Sequence, residues 1–436
     1  MKLSTALSSA AVLVFQSVCV AQGPALDQAR QQAVIEKTIE LVVANYVYPE
    51  RARAVETALR AKAKAGTYSA KMKPDDFLDA LNQDMQAAAR DKHLRVLNNP
   101  RIVAQLKSEA AGAKDVSPEF LRMLRENNFR LRKAESLDGN IGYFKFDNFV
   151  ELRFVKDALV GAMNFLHSSS ALVLDLTDNG GGASETSDFL LSYFLPEGTR
   201  TGESWSRTTN QTTVSTVTRS PDVKQMLETP VYVLVSERTA SAAEAVAYTL
   251  QQAKRAVIVG SRTKGLANAG QHFVIDDRLF VMVPTILNKN AVSGTNWEGA
   301  GIAPDIAVAP EKALNSVMAN ALKSLADGKK DKKEKQRLLF MAQDYASLLS
   351  PQAPPAGFLE ACTGEYEGDQ RFVMKDGSLH FLKGEIDRKM NYMSDHTFTA
   401  EGRKDYRIRF PFDAGRVARC EVLWFDDTSD TYKRTK

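Results

Sequence analysis

The stretch Val231-Tyr-Val-Leu-Val-Ser-Glu-Arg-Thr-Ala-Ser-Ala-Ala-Glu-Ala-Val-Ala-Tyr-Thr-Leu250 predicts a buried strand followed by a helix. Its first five residues are apolar and rich in valine, and the residues after Ser241 are rich in alanine. Ser241 is therefore expected at the helix start, where unpaired backbone N–H groups and the positive end of the helix dipole meet. These groups favour a developing oxyanion, so the position suits the nucleophile of an acyl transfer.

The four residues Ser241-Ala-Ala-Glu244 also fit a capping box, in which serine and glutamate satisfy free N–H groups at a helix start. A Ser-x-x-Glu pattern is far more often such a cap than a catalytic site. The nucleophile hypothesis therefore depends on the motifs that accompany Ser241.

Two further motifs accompany it. Upstream, Ala171-Leu-Val-Leu-Asp-Leu-Thr-Asp-Asn-Gly-Gly-Gly182 predicts a buried strand that ends in three glycines. Glycines let a backbone approach a ligand closely and orient its N–H groups freely, although they also suit a merely flexible connection. No Lys-Ser/Thr follows them, which argues against a phosphate-binding P-loop. Downstream lies Asn296-Trp-Glu-Gly-Ala-Gly-Ile-Ala-Pro-Asp305.

Four motifs in this order resemble the tail-specific (C-terminal processing) serine peptidase family. The likeness is closer to its branch with tricorn-type core proteases and interphotoreceptor retinoid-binding protein, and it spans roughly residues 30 to 310. The motifs that carry the resemblance are Leu174–Gly182, Thr239–Glu244, Val259–Gly265 and Glu298–Asp305.

The resemblance implies the roles of several residues. Ser241 would be the nucleophile that forms an acyl-enzyme. The backbone N–H groups of Ala242 and of Gly180 or Gly181 would form the oxyanion hole.

The general base has two candidates, of which Lys264 is the alternative one. Classical members of the family use a lysine in a Phe-Gly-Lys-Gly setting, and counting from Gly260 places that lysine at Leu266, which cannot accept a proton. Lys264 lies two residues earlier and would share a face with Leu266 on an extended segment. A lysine base must also be strongly desolvated to be neutral at pH 7.

The other candidate is His93, in Asp91-Lys-His-Leu-Arg-Val96. This hexapeptide matches the Asp-x-His-Leu-x-Val element of the retinoid-binding-protein-like branch, where a histidine is the base and a distant glutamate supports it. The resemblance implies His93 as base and Glu298 as the third member, which orients the imidazole. The alternatives are a partly exposed linker histidine and a turn carboxylate. Tricorn-type enzymes have a serine just before the histidine, where this chain has Lys92.

No metal site, cofactor or nucleic-acid partner is indicated. The sequence has no His-Glu-x-x-His, no Cys-x-x-Cys and no glycine fingerprint for a dinucleotide. The formal net charge of +4 is small for 436 residues, with acids and bases interspersed, and gives no case for nucleic-acid binding.

The first residues predict export, because Met1-Lys2 and a short apolar stretch precede Cys19-Val-Ala-Gln22, as in a secretory signal peptide covering residues 1–21. No segment reaches the length of a stable membrane span. We therefore expect a periplasmic or extracellular protein. Two cysteines then remain, Cys362 and Cys420, which are either a disulfide, as an oxidising compartment favours, or two buried thiols.

The chain is expected to have several domains. After the signal peptide we predict a helical domain over 25–98, a peptidase core over 130–310, a helical tail over 311–350, a linker over 351–358 and a small antiparallel β-barrel over 359–436. The interval between the first two domains is too short for a PDZ domain. Alternating strands and helices in the core predict an α/β fold with a mostly parallel, helix-covered sheet.

The leading hypothesis is a secreted serine endopeptidase that cuts peptides or unfolded proteins. The alternative is a non-catalytic binding protein on the same fold that carries an apolar ligand. The presence of Ser241, the triple glycine, His93 and Glu298 together favours the enzyme.

Overall fold

The computed structural model describes residues 27–69, 71–111, 118–413 and 415–436. The predicted signal peptide over residues 1–21 lies outside the described residues. Within them, no helix has the length and apolar character needed to cross a membrane.

The described residues form eleven α-helices and twenty-one strands. The helices are α1 (Gln28–Asn45), α2 (Pro49–Lys64), α3 (Pro74–Ala89), α4 (Pro100–Ala110), α5 (Pro118–Glu126), α6 (Leu152–Leu166), α7 (Ser184–Leu191), α8 (Ala242–Gln252), α9 (Pro310–Asp327), α10 (Lys332–Ser347) and α11 (Phe358–Cys362). The strands of the first two sheets are β1 (Arg95–Asn98), β2 (Leu131–Leu137), β3 (Ile141–Phe146), β4 (Ala171–Asp175), β5 (Arg200–Ser206), β6 (Gln211–Thr216), β7 (Val231–Val235), β8 (Ala256–Gly260), β9 (Ala269–Val274), β10 (Leu279–Asn290) and β11 (Ile306–Ala307). The remaining strands are β12 (Gly364–Tyr366), β13 (Gln370–Lys375), β14 (Ser378–Lys383), β15 (Ile386–Ser394), β16 (Thr397–Ala400), β17 (Tyr406–Arg409), β18 (Phe412–Asp413), β19 (Arg416–Val417), β20 (Arg419–Trp424) and β21 (Ser429–Lys433).

The predicted strand and helix around Ser241 are β7 and α8, in a six-stranded sheet of order β11-β8-β7-β4-β3-β2. Strands β4, β7, β8 and β11 run parallel. Because β4 and β7 are parallel neighbours, their carboxyl ends lie at one edge of the sheet. The triple glycine after β4 and Ser241 after β7 therefore come together.

A second sheet, which the sequence analysis did not separate from the first, is antiparallel. It has the order β1-β10-β5-β6, with β9 also paired to β10. The predicted N-terminal helices α1 to α3 pack on it, because their apolar residues share a core with Leu279, Val281 and Val283 of β10. The expectation of one mostly parallel sheet thus holds for the strands around Ser241 only.

The predicted C-terminal barrel is an antiparallel sheet of eight strands. Backbone hydrogen bonds between Glu365 and the chain end, and a bridge between Tyr366 and Arg434, bring the first and last strands together. Its interior is aromatic, with Phe372, Phe398 and Phe410 fully buried. The fold class predicted from the sequence, a helical N-terminal region, an α/β core and this barrel, is confirmed.

The chain divides into two compact units. The first comprises the described residues of 27–135, 143–168 and 172–307, and contains every candidate catalytic residue. The second comprises residues 136–142, 169–171 and 308–436. In the second unit, Arg407 of the barrel donates a 2.9 Å hydrogen bond to the buried Asp344 of α10, which fixes that helix to the barrel.

The two cysteines of the candidate disulfide are both buried in the barrel core, and both are free thiols. Of the two alternatives, a disulfide or two buried thiols, the structure has two buried thiols. Burial raises the pKa of Cys362 and raises the pKa of Cys420 to about 12, so neither thiol ionises readily.

Candidate active site

Ser241 lies at the sharp turn between β7 and α8 with a backbone that L-residues rarely adopt. Its φ is 54° and its ψ is −119°. Strained backbone of this kind persists only where the surroundings enforce it, and it is concentrated at functional sites. Ser241 is partly exposed.

The glycine loop lies directly against this serine. A Cβ atom built on Gly181 would lie 2.7 Å from Ser241 Cβ and 2.9 Å from the Ala240 carbonyl oxygen, and φ at Gly181 is +97°. Only glycine fits that space and that conformation. Gly181 is therefore needed for close approach to Ser241, and Gly182 for close approach to the Phe149 backbone, whose carbonyl oxygen would lie 2.2 Å from an added Cβ.

The N–H groups predicted for the oxyanion hole differ in what they bind. Gly180 N–H donates to the Asp147 carbonyl oxygen at 3.2 Å, and Gly181 N–H donates to Asn179 Oδ1 at 2.9 Å. Within the described part of the chain, the N–H groups of Gly182 and Ala242 have no hydrogen-bond acceptor. These two amides therefore have unused donors, and the Ala242 amide belongs to the residue directly after Ser241.

Glu244 holds the backbone around Ser241 in place. Its buried carboxylate accepts hydrogen bonds from four groups: Ser241 N–H at 2.9 Å, Thr263 Oγ1 at 2.5 Å, Gly265 N–H at 2.7 Å and Leu266 N–H at 2.9 Å. The first of these is the glutamate half of the predicted capping box. The carboxylate thus joins the Ser241 amide to the loop that carries Lys264.

His93, Glu298 and Asp91 come together in a second cluster. One ligand atom from each lies within 4.8 Å of the others. Asp91 is nearly fully buried; its two oxygens accept from the backbone N–H of His93 at 2.8 Å and from Tyr46 Oη at 3.0 Å. His93 Nδ1 and Glu298 Oε1 are both buried without a hydrogen-bond partner. In the described residues this is the one group of acids, histidines or cysteines that could hold a metal ion.

The two clusters are joined by four consecutive backbone amides. Gly265 and Leu266 donate to Glu244, and Ala267 and Asn268 donate to Glu298 Oε2 at 2.8 and 2.9 Å. One short segment therefore positions the carboxylate beside Ser241 and the carboxylate beside His93.

Burial determines the charge states of this second cluster. It lowers the pKa of His93 to about 3, with a further contribution from the positive charges of Arg95 and Lys264, so the imidazole is neutral at pH 7. Burial also raises the pKa of Glu298 to about 7, assisted by the charge of Asp91, and raises the pKa of Asp91.

The alternative base, Lys264, lies in the same region. Burial lowers its pKa, and the charges of Arg95 and Lys92 lower it further. Among the described residues no hydrogen bond joins Ser241 to either His93 or Lys264. Leu266, at the family's lysine position, is buried, and its N–H binds Glu244.

Asp91 and Glu244 were not predicted as site residues. Both were visible in the sequence, Asp91 as the first residue of the His93 motif and Glu244 as half of the capping box. Their partners Tyr46 and Thr263 are 45 and 19 residues away, so no local pattern could reveal them.

Two family matches cover most of this arrangement. Residues 140–308 match peptidase family S41, and residues 25–132 match the N-terminal domain of peptidase S41 found in eukaryotic IRBP. The chain belongs to peptidase family S41, a family of serine-type peptidases.

Individual relatives match over shorter stretches. The chain is 30% identical over 187 residues to carboxyl-terminal-processing peptidase 1, chloroplastic, of Arabidopsis thaliana, which covers 41% of this chain and 35% of the relative. It is 30% identical over 186 residues to a carboxy-terminal-processing protease of Bartonella bacilliformis, covering 40% of this chain and 41% of the relative. The matched part thus spans 35% and 41% of the lengths of these two relatives. A solved lipoprotein of Streptococcus agalactiae is similar at 16% identity with a TM-score of 0.45, covering 66% of this chain and 95% of that one.

Proposed function

We propose that this chain is a serine peptidase that hydrolyses peptide bonds through an acyl-enzyme on Ser241. The observation that carries the proposal is the run of amides from Gly265 to Asn268, because it joins the strained serine to the buried histidine cluster. A cap alone would require no such second cluster.

In the proposed mechanism Ser241 Oγ attacks the carbonyl carbon of the scissile peptide bond. His93 accepts the serine proton and then gives it to the leaving amine. Its neutral form at pH 7 suits the first step, and ionised Glu298 stabilises the imidazolium that results. Water then attacks the acyl-enzyme by the same route in reverse, releasing the acid and restoring Ser241.

The negative oxygen of the tetrahedral intermediate requires donors beside Ser241. We assign one donor to Ala242 N–H and the other to the glycine loop. Gly180 and Gly181 would have to share bonds that they already make, whereas the N–H of Gly182 is free. Gly182 is therefore added to the candidates from the sequence.

The proposed substrates are peptides or unfolded proteins. A preference for chain termini of the kind named for the relatives is not part of the proposal. We also propose that the chain is exported after cleavage following Ala21. The test is to fractionate the host and to sequence the N-terminus of the protein recovered from each fraction. Protein that is found in the cytoplasmic fraction and still carries residues 1–21 would contradict export.

Labelling with a serine-directed fluorophosphonate tests the nucleophile. We expect one adduct per chain, located by mass spectrometry on the peptide that carries Ser241, and none on Ser241→Ala. The matched control is Ser236→Ala, because Ser236 is buried in the same β7–α8 connection and binds the Thr177 carbonyl oxygen. An unlabelled wild type that also leaves unfolded peptides intact would favour the binding-protein alternative.

A further inference from the structure

The short connection between α1 and α2 carries a tyrosine that is hydrogen-bonded into the cluster of the proposed base. Tyr46 is fully buried, and its Oη donates to Asp91 Oδ2 at 3.0 Å. The other oxygen of the same carboxylate, Asp91 Oδ1, accepts from the backbone N–H of His93 at 2.8 Å. The buried carboxylate therefore links the Tyr46 hydroxyl to the backbone of the proposed base.

A second tyrosine of this connection approaches the supporting acid in the same way, through a longer contact. Tyr48 Oη accepts from Asn268 Nδ2 at 3.4 Å, and the backbone N–H of Asn268 donates to Glu298 Oε2 at 2.9 Å. The rings of Tyr46 and Tyr48 also meet edge to face, with their centroids 5.9 Å apart. Residues 46–48 thus lie one residue away from both the base and its supporting acid.

The backbone of this connection is held by the antiparallel sheet and its hairpin. Val47 N–H donates to the carbonyl oxygen of Pro284 in β10 at 2.8 Å. Arg207, which lies between β5 and β6, donates to the carbonyl oxygens of Tyr46 and of Val43, the latter at 3.1 Å. The two tyrosines therefore have an anchored backbone of their own. Such support matters in catalysis, because a displacement of about 1 Å can lower a rate about 100-fold.

We propose that Tyr46 and Tyr48 are positioning residues, which act through their neighbours on the base and on the supporting acid. Tyr46 has the stronger effect, because its bond to Asp91 is shorter and more deeply buried than the contact of Tyr48. Without the Tyr46 hydroxyl, one oxygen of the buried Asp91 loses a donor, and the turn that carries His93 is held less firmly. The inference rests on the proposed function, since it states how the base of that same site is held.

Tyr46→Phe tests the main link by steady-state kinetics on one peptide, because phenylalanine fills the same space without the hydroxyl. We expect kcat to fall about 10- to 100-fold while KM changes by less than about threefold, since the proton acceptor is displaced and the binding of substrate is not. Tyr48→Phe should lower kcat by a smaller factor. Each variant is measured well below its melting temperature, so that unfolded protein does not contribute.

Tyr68→Phe is the matched control in the same helical region. Tyr68 is buried, and its Oη donates to Asp84 Oδ2 at 2.9 Å, so the substitution removes the same kind of hydrogen bond. Among the described residues, no hydrogen bond joins Tyr68 or Asp84 to the candidate active site. The control should lower the melting temperature and leave kcat unchanged. An unchanged kcat in Tyr46→Phe, or an equal fall of kcat in Tyr68→Phe, would overturn the inference.

A double variant tests whether Tyr46 acts through Asp91. If it does, Asp91→Asn and the double variant Tyr46→Phe/Asp91→Asn should have the same kcat within about threefold, because the link is already broken in the first of them. Losses that multiply in the double variant would show that Tyr46 acts by another contact, and would refute the proposed link.

The ring signals of His93 separate failure of this inference from failure of the proposed function. The chain has five histidines, so ¹³C-labelled histidine gives a short set of ring signals, and His93→Gln identifies the one from His93. We expect Tyr46→Phe to shift that signal and Tyr68→Phe to leave it in place. The shift in a protein that cleaves no peptide would refute the peptidase and keep the positioning role. Cleavage by the wild type, without any shift in Tyr46→Phe, would refute the positioning role and keep the peptidase.

Discussion

The backbone strain at Ser241 predicts that substitutions there change stability and activity in different ways. At φ 54° and ψ −119°, any residue with a Cβ is unfavourable, whereas glycine adopts these angles freely. Ser241→Gly should therefore raise the free energy of unfolding by about 1 kcal/mol relative to Ser241→Ala. Both variants should lose peptidase activity by several powers of ten. Urea unfolding measures the first effect; a glycine variant less stable than the alanine variant would contradict it.

The choice of base predicts opposite results for two substitutions. If His93 is the base, His93→Ala should reduce kcat to near background, while Lys264→Ala should retain turnover of a neutral peptide. The reason is that His93 is neutral at pH 7, with its pKa lowered to about 3, and Leu266 stands at the family's lysine position. Steady-state kinetics on one neutral peptide decides the matter. An inactive Lys264→Ala beside an active His93→Ala would assign the base to Lys264.

The raised pKa of Glu298 predicts a pH dependence that His93 alone would not give. Asp91 and Glu244 act on Glu298, while Arg95 and Lys264 act on His93. Glu298 loses its charge as the pH falls through about 7, and the imidazolium then loses its support. The value of kcat/KM should therefore rise with pH through about 7. Glu298→Gln should lower the plateau and remove this inflection; an unchanged inflection would place the titration elsewhere.

At the scale of elements, the parallel neighbours β4 and β7 explain why two loops meet at Ser241. The two strands followed from their apolar runs, and the pairing of their loops in one site followed from the resemblance, so this half of the site was predicted from the sequence. The antiparallel sheet was not, because its pairings join distant segments, such as Arg95 of β1 with Met282 of β10. His93 comes just before β1. The resemblance implied Glu298 as its partner, but its burial beside Asp91 and Tyr46 was hidden for the same reason.

The hydrogen bonds that Glu244 accepts from the segment 263–268 predict that substitution of Glu244 strongly affects stability and activity, although Glu244 need not touch substrate. In Glu244→Gln, an amide NH₂ would face backbone N–H donors, so buried groups would lose their partners at a cost of about 2–4 kcal/mol. We expect a lower melting temperature and a large fall in kcat. Glu237→Gln, at an exposed glutamate before the same helix, is the control and should change neither. A normal kcat in Glu244→Gln would show that the loop is held by other contacts.

At the scale of the whole molecule, the two units differ in how much of their structure could be predicted from the sequence. The hairpins of the barrel are local patterns, with turn residues such as Asp376-Gly377 between paired strands, so a barrel could be predicted over 359–436. Hydrogen-bond satisfaction was invisible, because the missing acceptor for the buried Nε of Arg95 among the described residues emerges only when the neighbouring side chains are placed. The same holds for the state of Cys362 and Cys420, since a spacing in sequence says nothing of whether two thiols are bonded.

The two free thiols of the second unit give a prediction about the whole chain. In a protein carrying Cys19→Ser, Cys362 and Cys420 are the remaining cysteines, and both lie in the barrel core at 0% exposure. An aromatic disulfide reagent should therefore find no reactive thiol in the folded protein. It should find two per chain after unfolding in guanidinium without reductant, because burial and the raised pKa values protect thiols only in the folded state. Two thiols that appear only after a reductant is added would instead show a disulfide. Peptidase activity should be the same with and without reductant, since the first unit from residue 27 onward contains no cysteine.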